Sequence, residues 1–291
     1  MPTRLQISRK DILTDIDATK LRVLRPADLA SLLAERRGFW RLAQSTTREA
    51  FTNFLLEHND LKEVRLESVG RPGQSILRYI RGTPSPYALA LSIRPNSYLS
   101  HGTALSLHGL TDQLPKTLYV NREQSPKPQG KIADQKSVDR AFASRQRQST
   151  LIFQYLDSQF VVLSGKQTGN LEVGTITDSS GAELRVTNLE RTLIDIAVRP
   201  SYAGGVYEVL RAYEAAKDRM SINVLLATLK KLEYTYPYHQ AIGFYMSRAG
   251  YDSTRTDKLR KLGLHWDFYL THSMKERDFD PFWRLHLPKG F

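Results

Sequence analysis

The sequence predicts an α+β protein in which an N-terminal winged helix-turn-helix precedes a larger mixed α/β domain. Three observations predict this fold class. Near the start of the chain, apolar residues recur at helical spacing in three segments, and two short alternating segments follow. Further alternating segments with glycine-bearing turns predict a β-rich middle. Helical periodicity returns after residue 187 and predicts a helical end.

The first two predicted helices lie in RKDILTDIDATKL (residues 9–21) and RPADLASLLAERRG (residues 25–38). Pro26 suits a first helical turn, because its fixed φ is helical and an N–H at that position has no helical partner. Gly38 is placed to end the same helix. A short linking turn therefore separates this helix from the next periodic segment.

The third predicted helix lies in STTREAFTNFLLE (residues 45–57), which small hydroxyl residues open. Helical spacing predicts that its buried face consists of Ala50, Phe51, Phe54 and Leu55. The opposite face is predicted to present Arg48, Glu49, Thr52 and Asn53.

Two alternating segments follow this helix and predict a hairpin. They are LKEVRLES (residues 61–68) and SILRYIRG (residues 75–82), and GRPGQ between them supplies turn residues and the basic side chain of Arg71. Three helices followed by a hairpin is the element order of a winged helix-turn-helix. We therefore predict a DNA-binding domain over residues 1–94.

Residues 95–291 are predicted to form the second domain. Its first part, residues 95–186, is expected to be mostly β with one embedded helix and a basic exposed loop over residues 123–149. Its second part, residues 187–291, is expected to be mostly helical and to finish with a pair of strands. Thr187 and Glu190 in TNLE predict a capping box at the first of these helices.

The charge balance favours a polyanionic partner. The 291 residues include 42 Lys and Arg against 30 Asp and Glu, a formal charge of +12. Residues 1–94 carry 16 basic and 10 acidic side chains, so this third of the chain holds half of the excess. There is no cysteine, which excludes disulfides and thiolate metal sites. No apolar run suits a membrane span or a secretory signal, so we expect a cytoplasmic protein with no membrane partner.

A winged helix-turn-helix reads base edges with its recognition helix and holds phosphates with the wing and the preceding helix. Arginine can address guanine and asparagine adenine through paired hydrogen bonds. The predicted DNA-binding residues are Arg25, Arg36, Arg37, Arg41, Thr46, Thr47, Arg48, Thr52, Asn53 and Arg71.

No motif in the sequence predicts catalysis, a metal site or a cofactor. His101 and His108 lie two helical turns apart, about 10 Å by helix rise, which is too far for two ligands of one zinc ion. The chain has no HExxH, GxGxxG or GxSxG pattern, and AGG at residues 203–205 lacks the surroundings of a P-loop. Glu190 is explained as a cap, and Arg191 and Asp195 as an i,i+4 pair.

Two segments resemble the AbiEi antitoxins of abortive-infection, type IV toxin–antitoxin systems. VTNLERTLIDIAVRPSYAGG (residues 186–205) is similar to the pattern of their C-terminal domain. YLSHGTALSLHGLTDQLPKTLYVNRE (residues 98–123) is similar to their central segment, in which a small-residue helix ending in HGL precedes a strand. The N-terminal third matches the family by element order.

The resemblance implies a non-enzymatic bacterial antitoxin with a role in phage defence. In that family the N-terminal domain represses its own operon by binding inverted repeats in promoter DNA. The C-terminal domain counters a cognate nucleotidyltransferase-type toxin, usually without a stable complex. Carried over by position, the antitoxin role falls on the segment from Asn188 to Gly205, with the site residues Glu190, Arg191, Asp195 and Arg199.

Two alternatives remain open from the residues. The winged helix could serve as a protein-interaction surface, so that the chain sequesters a toxin by direct binding without contacting DNA. The middle unit could instead hold a metal-dependent nuclease, for which the candidate carboxylates on or beside its strands are Asp157, Glu172, Asp178 and Glu183.

Overall fold

The chain folds as a mixed α+β protein, and the computed structural model describes residues 2–113, 115–128, 130–132 and 134–291. In chain order the helices are α1 (Arg4–Ala18), α2 (Pro26–Arg36), α3 (Arg48–Glu57), α4 (Pro86–Ser92), α5 (His101–Leu107), α6 (Gln135–Ala143), α7 (Leu189–Val198), α8 (Val206–Ala215), α9 (Ile222–Leu232), α10 (Tyr238–Arg248) and α11 (Ser253–Arg260). A 3-10 helix, Pro200–Ala203, lies between α7 and α8. None of these described helices has the length and apolar composition that a membrane crossing requires.

The strands of the described residues form a large sheet and a small one. They are β1 (Val23–Leu24), β2 (Lys62–Ser68), β3 (Ser75–Ile80), β4 (Tyr98–Leu99), β5 (Thr117–Glu123), β6 (Ile152–Tyr155), β7 (Ser158–Gly165), β8 (Val173–Thr177), β9 (Glu183–Thr187), β10 (Phe268–Tyr269), β11 (Arg277–Asp280) and β12 (Leu285–Pro288). The large sheet has the order β1-β3-β2-β6-β7-β5-β4-β9-β8, and the small sheet has the order β10-β12-β11. The predicted terminal pair of strands is therefore three-stranded, because β12 pairs with strands on both sides.

The N-terminal helices enclose an aromatic core. Thr47 caps α3 by accepting a hydrogen bond from the amide of Ala50 at 3.1 Å. Phe51 on α3 is fully buried and stacks on Trp40, with 5.6 Å between the ring centroids. Since both rings are apolar and out of water, they contribute much of the burial that holds α3 against α1 and α2.

Asp15 on α1 links two of these elements. Its carboxylate accepts hydrogen bonds from the Arg36 guanidinium at 2.9 and 2.8 Å and from the indole N–H of Trp40 at 2.8 Å. The bond from Arg36, helped by the one from Trp40, holds the pKa of Asp15 below its usual value in spite of partial burial. The ionised carboxylate therefore stabilises the packing of α1 on the end of α2 and on the turn that follows it.

The large sheet continues across the predicted boundary at residue 94. Its β2 strand pairs antiparallel with β6, where Glu67 is opposite Gln154 and Ser68 is opposite Phe153. One apolar core contains Leu66 of β2 together with residues of α4, β5 and β7. The division into residues 1–94 and 95–291 stays a prediction, and the sheet joins the two parts physically.

The largest apolar core lies among the C-terminal helices. The helix α7 packs against α5, α8, α9 and α10, and the small sheet closes the same core. Trp283 is almost completely buried against α10, where a Cβ built on Gly243 would lie 2.2 Å from the nearest indole carbon. The absence of a side chain at Gly243 is thus a packing requirement.

We expect Gly243→Ala to lower the free energy of unfolding by about 1–3 kcal/mol, because the added methyl group must displace the buried indole. Chemical denaturation followed by tryptophan fluorescence measures the effect. Gly174→Ala is the matched control, since no atom lies within 4 Å of its Cβ position. Equal stability of the two variants would contradict the packing argument.

The Asp15 network predicts a pH-dependent loss of stability. Its folded-state pKa is depressed, so its contribution is present above the unfolded pKa of about 4 and is lost as pH falls through the folded pKa. Asp15→Asn should therefore lower the urea midpoint at pH 7, and the gap to the wild type should narrow below about pH 4. Asp11→Asn, on the exposed face of the same helix, is the control. A gap that is constant with pH would exclude the ionised carboxylate as its cause.

Candidate functional site

The first candidate surface consists of α3 and the β2–β3 hairpin. Arg48 and Asn53 are exposed on α3, and Arg71 is exposed at the hairpin tip. The tip turns tightly, because the amide of Gln74 bonds to the carbonyl of Arg71 at 3.1 Å and Gly73 has a φ of 80°. Two separate segments of the same unit therefore present basic or amide side chains to solvent.

Two side chains of α3 lie on the opposite face from the one predicted. Thr52 is buried with 6% exposure, and Ala50 is exposed. The predictions that Thr52 points outward and Ala50 inward are wrong. Helical spacing alone does not decide between them, since Ala50 lies one turn from the buried Phe54 and Thr52 lies one turn from the buried Leu55. The tertiary packing of α3 decides which side of the apolar stripe is covered.

Three of the predicted DNA-binding arginines bind within the protein. Arg25 pairs with Asp28 at 2.6 Å, and Arg36 pairs with Asp15 at 2.8 Å. Arg37 donates to the backbone carbonyls of Ala43 at 2.7 Å and Thr46 at 3.0 Å, so it fixes the linker between α2 and α3. Arg41 and Thr47 are exposed, and Thr46 is half-buried.

The second candidate surface is a cleft of about 860 Å³ in the C-terminal part of the chain. It opens at the carboxyl ends of the parallel strands β5 and β7. Its other walls are α7, the 3-10 helix, described residues between 124 and 128, Gly130, residues 145–149, and the loop that joins α9 to α10. The basic loop predicted over residues 123–149 thus contributes a wall, and α6 lies within it.

A buried ion pair lies in the α7 wall of this cleft. Arg191 donates to the Asp195 carboxylate at 2.8 Å and to the Leu171 carbonyl at 3.1 Å, and the two charged side chains are 4% and 6% exposed. Burial alone would lower the pKa of Arg191, but the Asp195 carboxylate, together with the nearby hydroxyls of Tyr234 and Tyr98, holds this pKa above its usual value. The predicted i,i+4 pair is present, and it is buried instead of lying on a solvated helix face.

The expected capping box at α7 is wrong. Asn188 is the N-cap, since its side chain accepts from the amide of Arg191 at 2.8 Å. Thr187 belongs to β9, and its hydroxyl pairs with the hydroxyl of Thr192 at 2.8 Å. Glu190 instead accepts from the amide of Ser221 at 2.8 Å, which ties α7 to the start of α9.

The remaining predicted antitoxin residue, Arg199, lies at the end of α7. It donates to the Arg147 carbonyl at 2.7 Å, and its guanidinium carbon lies 5.7 Å from the centroid of the Tyr202 ring. Arg191, Asp195 and Arg199 all line the cleft, and Glu190 is not among its lining residues. Three of the four proposed residues thus lie together, although two of them already satisfy each other's charge.

His101 lines the same cleft in an unusual conformation. Its φ of 51° is in the left-handed region, and its ring meets Tyr202 edge to face with 5.4 Å between centroids. A Cβ on the next residue, Gly102, would lie 2.8 Å from the Tyr202 carbonyl oxygen, so only glycine fits there. Burial lowers the pKa of His101 to about 4, and the imidazole is therefore neutral at pH 7.

Sequence reasoning missed most of the cleft. The residues that it did not single out include Arg145, Arg147, Lys166, Tyr202, Tyr234, Tyr236 and Tyr238. The signals were visible in SRQRQS (residues 144–149) and YTYPY (residues 234–238), which are local concentrations of arginine and tyrosine. Neither segment has a periodicity that predicts where the fold will place it.

The carboxylates considered for a nuclease do not form a common site. Glu183 pairs with Lys20 at 2.7 Å, and Glu172 accepts from the amide group of Asn188 at 2.7 Å. Asp178 accepts from the Ser180 hydroxyl at 2.7 Å within its own turn. In the described parts of the chain, no cluster of three or more His, Cys, Asp or Glu side chains has an arrangement that would hold a metal ion.

Comparison with known proteins relates the chain to a solved structure by fold. No protein-family model matches the sequence, and no curated protein matches it. The crystal structure of RV2827C protein from Mycobacterium tuberculosis is similar, with a TM-score of 0.55 and 14% sequence identity. The match covers 98% of this chain and 92% of that chain. The mixed α+β architecture is therefore found over nearly the full length of another protein.

Proposed function

We propose that this chain is an antitoxin that represses its own operon by binding promoter DNA and that counters a nucleotidyltransferase-type toxin. The observation that carries the DNA-binding part is the exposure of Arg48 and Asn53 on α3 together with Arg71 at the hairpin tip. The antitoxin part is supported by the resemblance of residues 98–123 and 186–205 to the AbiEi family.

The element order supports a winged helix-turn-helix over the first 94 residues. It runs α1, β1, α2, α3, β2, β3, and β1 pairs antiparallel with β3, with Val23 opposite Ile80. The helix α2 contacts α3, as the two helices of a helix-turn-helix do. On this proposal α3 enters the major groove, and the hairpin is the wing.

The proposed contacts divide by chemistry. Arg48 lies at the start of α3 and can address the O6 and N7 atoms of guanine, and Asn53 can address adenine. Arg71 and the exposed Arg41 can neutralise phosphates, which positions the protein without reading sequence. The proposed DNA contacts do not include Arg25, Arg36 and Arg37, because these side chains form ion pairs or hydrogen bonds within the N-terminal part.

The proposed toxin-countering region is the cleft around α7. The segment that resembles the AbiEi family, residues 186–205, contributes Arg191, Asp195 and Arg199 to the lining of this cleft. Of these three side chains, Arg199 is half-exposed. Arg191 and Asp195 are assigned to its framework, because removing either charge would leave the other buried without its partner.

We expect Arg48→Ala to reduce discrimination between the promoter and scrambled DNA by about 1–3 kcal/mol, because a base contact is lost. Arg71→Ala should weaken binding to every sequence and reduce the salt slope by about one, because a phosphate contact is lost. Fluorescence anisotropy with DNA from upstream of the chain's own coding sequence, over a series of salt concentrations, measures both.

Arg211→Ala is the control for these variants, since Arg211 is exposed on α8 and its side chain is 69% accessible. It should bind promoter DNA like the wild type. Equal affinity of the wild-type chain for promoter and scrambled DNA would refute the repressor part of the proposal.

The antitoxin part predicts rescue that does not depend on DNA binding. Cells expressing the neighbouring gene as a toxin should grow when the full chain is supplied from an independent promoter, and equally when it carries Arg48→Ala and Arg71→Ala. Full-length variants are needed because the β2–β6 pairing joins the two predicted domains. If the wild-type chain is soluble and the neighbouring gene is toxic, failure to restore growth would refute the antitoxin part of the proposal. If the chain forms a stoichiometric complex with the toxin and does not bind promoter DNA, it counters the toxin by direct sequestration.

A further inference from the structure

The cleft at the carboxyl ends of β5 and β7 carries an excess of positive charge, and it lies outside the surface proposed to bind promoter DNA. Its lining includes six cationic side chains, Lys127, Arg145, Arg147, Lys166, Arg191 and Arg199, against two carboxylates, Asp195 and Glu233. The Asp195 charge is matched by Arg191. Burial lowers the pKa of His101 to about 4 and holds the pKa of the other lining histidine, His272, below its usual value, so arginine and lysine supply the positive excess at pH 7.

Part of this charge is held in place by the fold. Lys166 donates to the carbonyls of Leu232 and Glu233 at 2.6 and 2.7 Å, at the C-terminal end of α9. Arg199 is anchored by its bond to the Arg147 carbonyl. The side chains of Arg145 and Arg147 are exposed on the segment that runs along the rim. Fixed cations on the walls and exposed arginines at the rim together suit a small anion that enters from solvent.

Aromatic side chains also line the cleft. The loop between α9 and α10 contributes Tyr234 and Tyr236, the first residue of α10 is Tyr238, and the 3-10 helix contributes Tyr202. Tyr234 and Tyr236 are half-buried, and Lys166 Nζ lies 5.8 Å from the centroid of the Tyr234 ring. Aromatic faces beside cations are the combination that binds nucleobases and phosphates of unpaired nucleotides, because bases stack while the backbone is neutralised.

The strand ends that form the floor are fixed by a polar network. Asn121 donates to the Tyr98 hydroxyl at 2.6 Å and accepts from the Gly165 amide at 2.9 Å. A Cβ at Gly165 would lie 2.6 Å from the Asn121 side chain, so the two strand ends approach closely only because residue 165 is glycine. Glu123 accepts from the amides of residues 168–170 at 2.8–3.2 Å and holds the loop that follows β7. The floor is thus rigid before any ligand arrives, which lowers the entropic cost of binding.

We propose that this cleft binds the phosphate and base of an unpaired nucleotide, either free or at the end of a single-stranded nucleic acid. The volume of about 860 Å³ lies within the range of small-ligand pockets, and the cleft lies at the carboxyl ends of parallel strands, where α/β sheets bind ligands. A concave cleft of this size favours a nucleotide over the outer surface of a duplex. The site lies outside the surface proposed for promoter DNA.

The test uses the full chain. Titration calorimetry measures the binding of AMP and ATP, and fluorescence anisotropy measures the binding of a labelled single-stranded RNA of eight nucleotides with a 5′-phosphate. Arg145→Ala combined with Arg147→Ala should weaken binding about tenfold or more, since two contacts to phosphate are lost. The corresponding double lysine variant should stay within a few-fold of the wild type, because it keeps both charges. Arg71→Ala should bind these probes like the wild type and lose affinity only for promoter DNA.

The outcomes separate the two sources of the ligand. Saturable binding of AMP or ATP that depends on Arg145 and Arg147 would support a free nucleotide, and dependence seen only with the RNA would support a strand end. Pyrophosphate binding as tightly as ATP would overturn the base-binding part. No binding of any probe, or equal binding by the wild type and the double alanine variant, would overturn the proposal. Arg71→Ala leaves the cleft intact. Failure of the nucleotide-binding proposal is therefore distinguishable from failure of the repressor proposal, because each is measured with a different probe and a different variant.

Discussion

The parallel pairing of β5 with β7 is the constraint on which much of the architecture depends. Seven residue pairs join these strands, from Thr117 opposite Gln159 to Glu123 opposite Gly165. Parallel neighbours require a crossover connection, which here includes α6 and β6. The crossover brings β6 to the far side of β7, where it pairs with β2. The β5–β7 pairing thus places two carboxyl strand ends at a common cleft, and its crossover places β6 where the β2–β6 pairing joins the N-terminal part to the sheet.

The charged residues of α7 show how this cleft obtains a polar wall next to an apolar core. Leu193 and Ile196 of the same helix are fully buried in the largest core. Arg191 and Asp195 are also buried, and each is stable there because the other supplies the opposite charge. Truncating one partner would cost about 3–5 kcal/mol, far more than a solvated i,i+4 pair contributes. The helix therefore serves as core element and cleft wall together.

The formal net charge is +12, and the basic side chains behind it are of two kinds: some bind within the protein, and others are exposed to solvent. In the N-terminal part, Arg25 and Arg36 pair with aspartates, and Arg37 satisfies backbone carbonyls. Arg48 and Arg71 remain exposed. Around the cleft, the rim arginines are exposed whereas Lys166 and Arg199 are tied to carbonyl groups. Charge counts show the sign of a partner, and the hydrogen bonds show which side chains are available to it.

The sequence by itself determined the mixed α+β class, the three N-terminal helices followed by a hairpin, and the helical end, because each depends on local periodicity and on helix-start residues such as Pro26. It did not predict the short strand β1 between α1 and α2. Tertiary structure decided what the sequence left open. Thr52 became buried and Glu190 bonded to Ser221, since both depend on which neighbour covers a face. The cleft was likewise decided by topology. Its lining comes from segments spread between His101 and His272, and only the sheet order brings side chains that distant in sequence into contact.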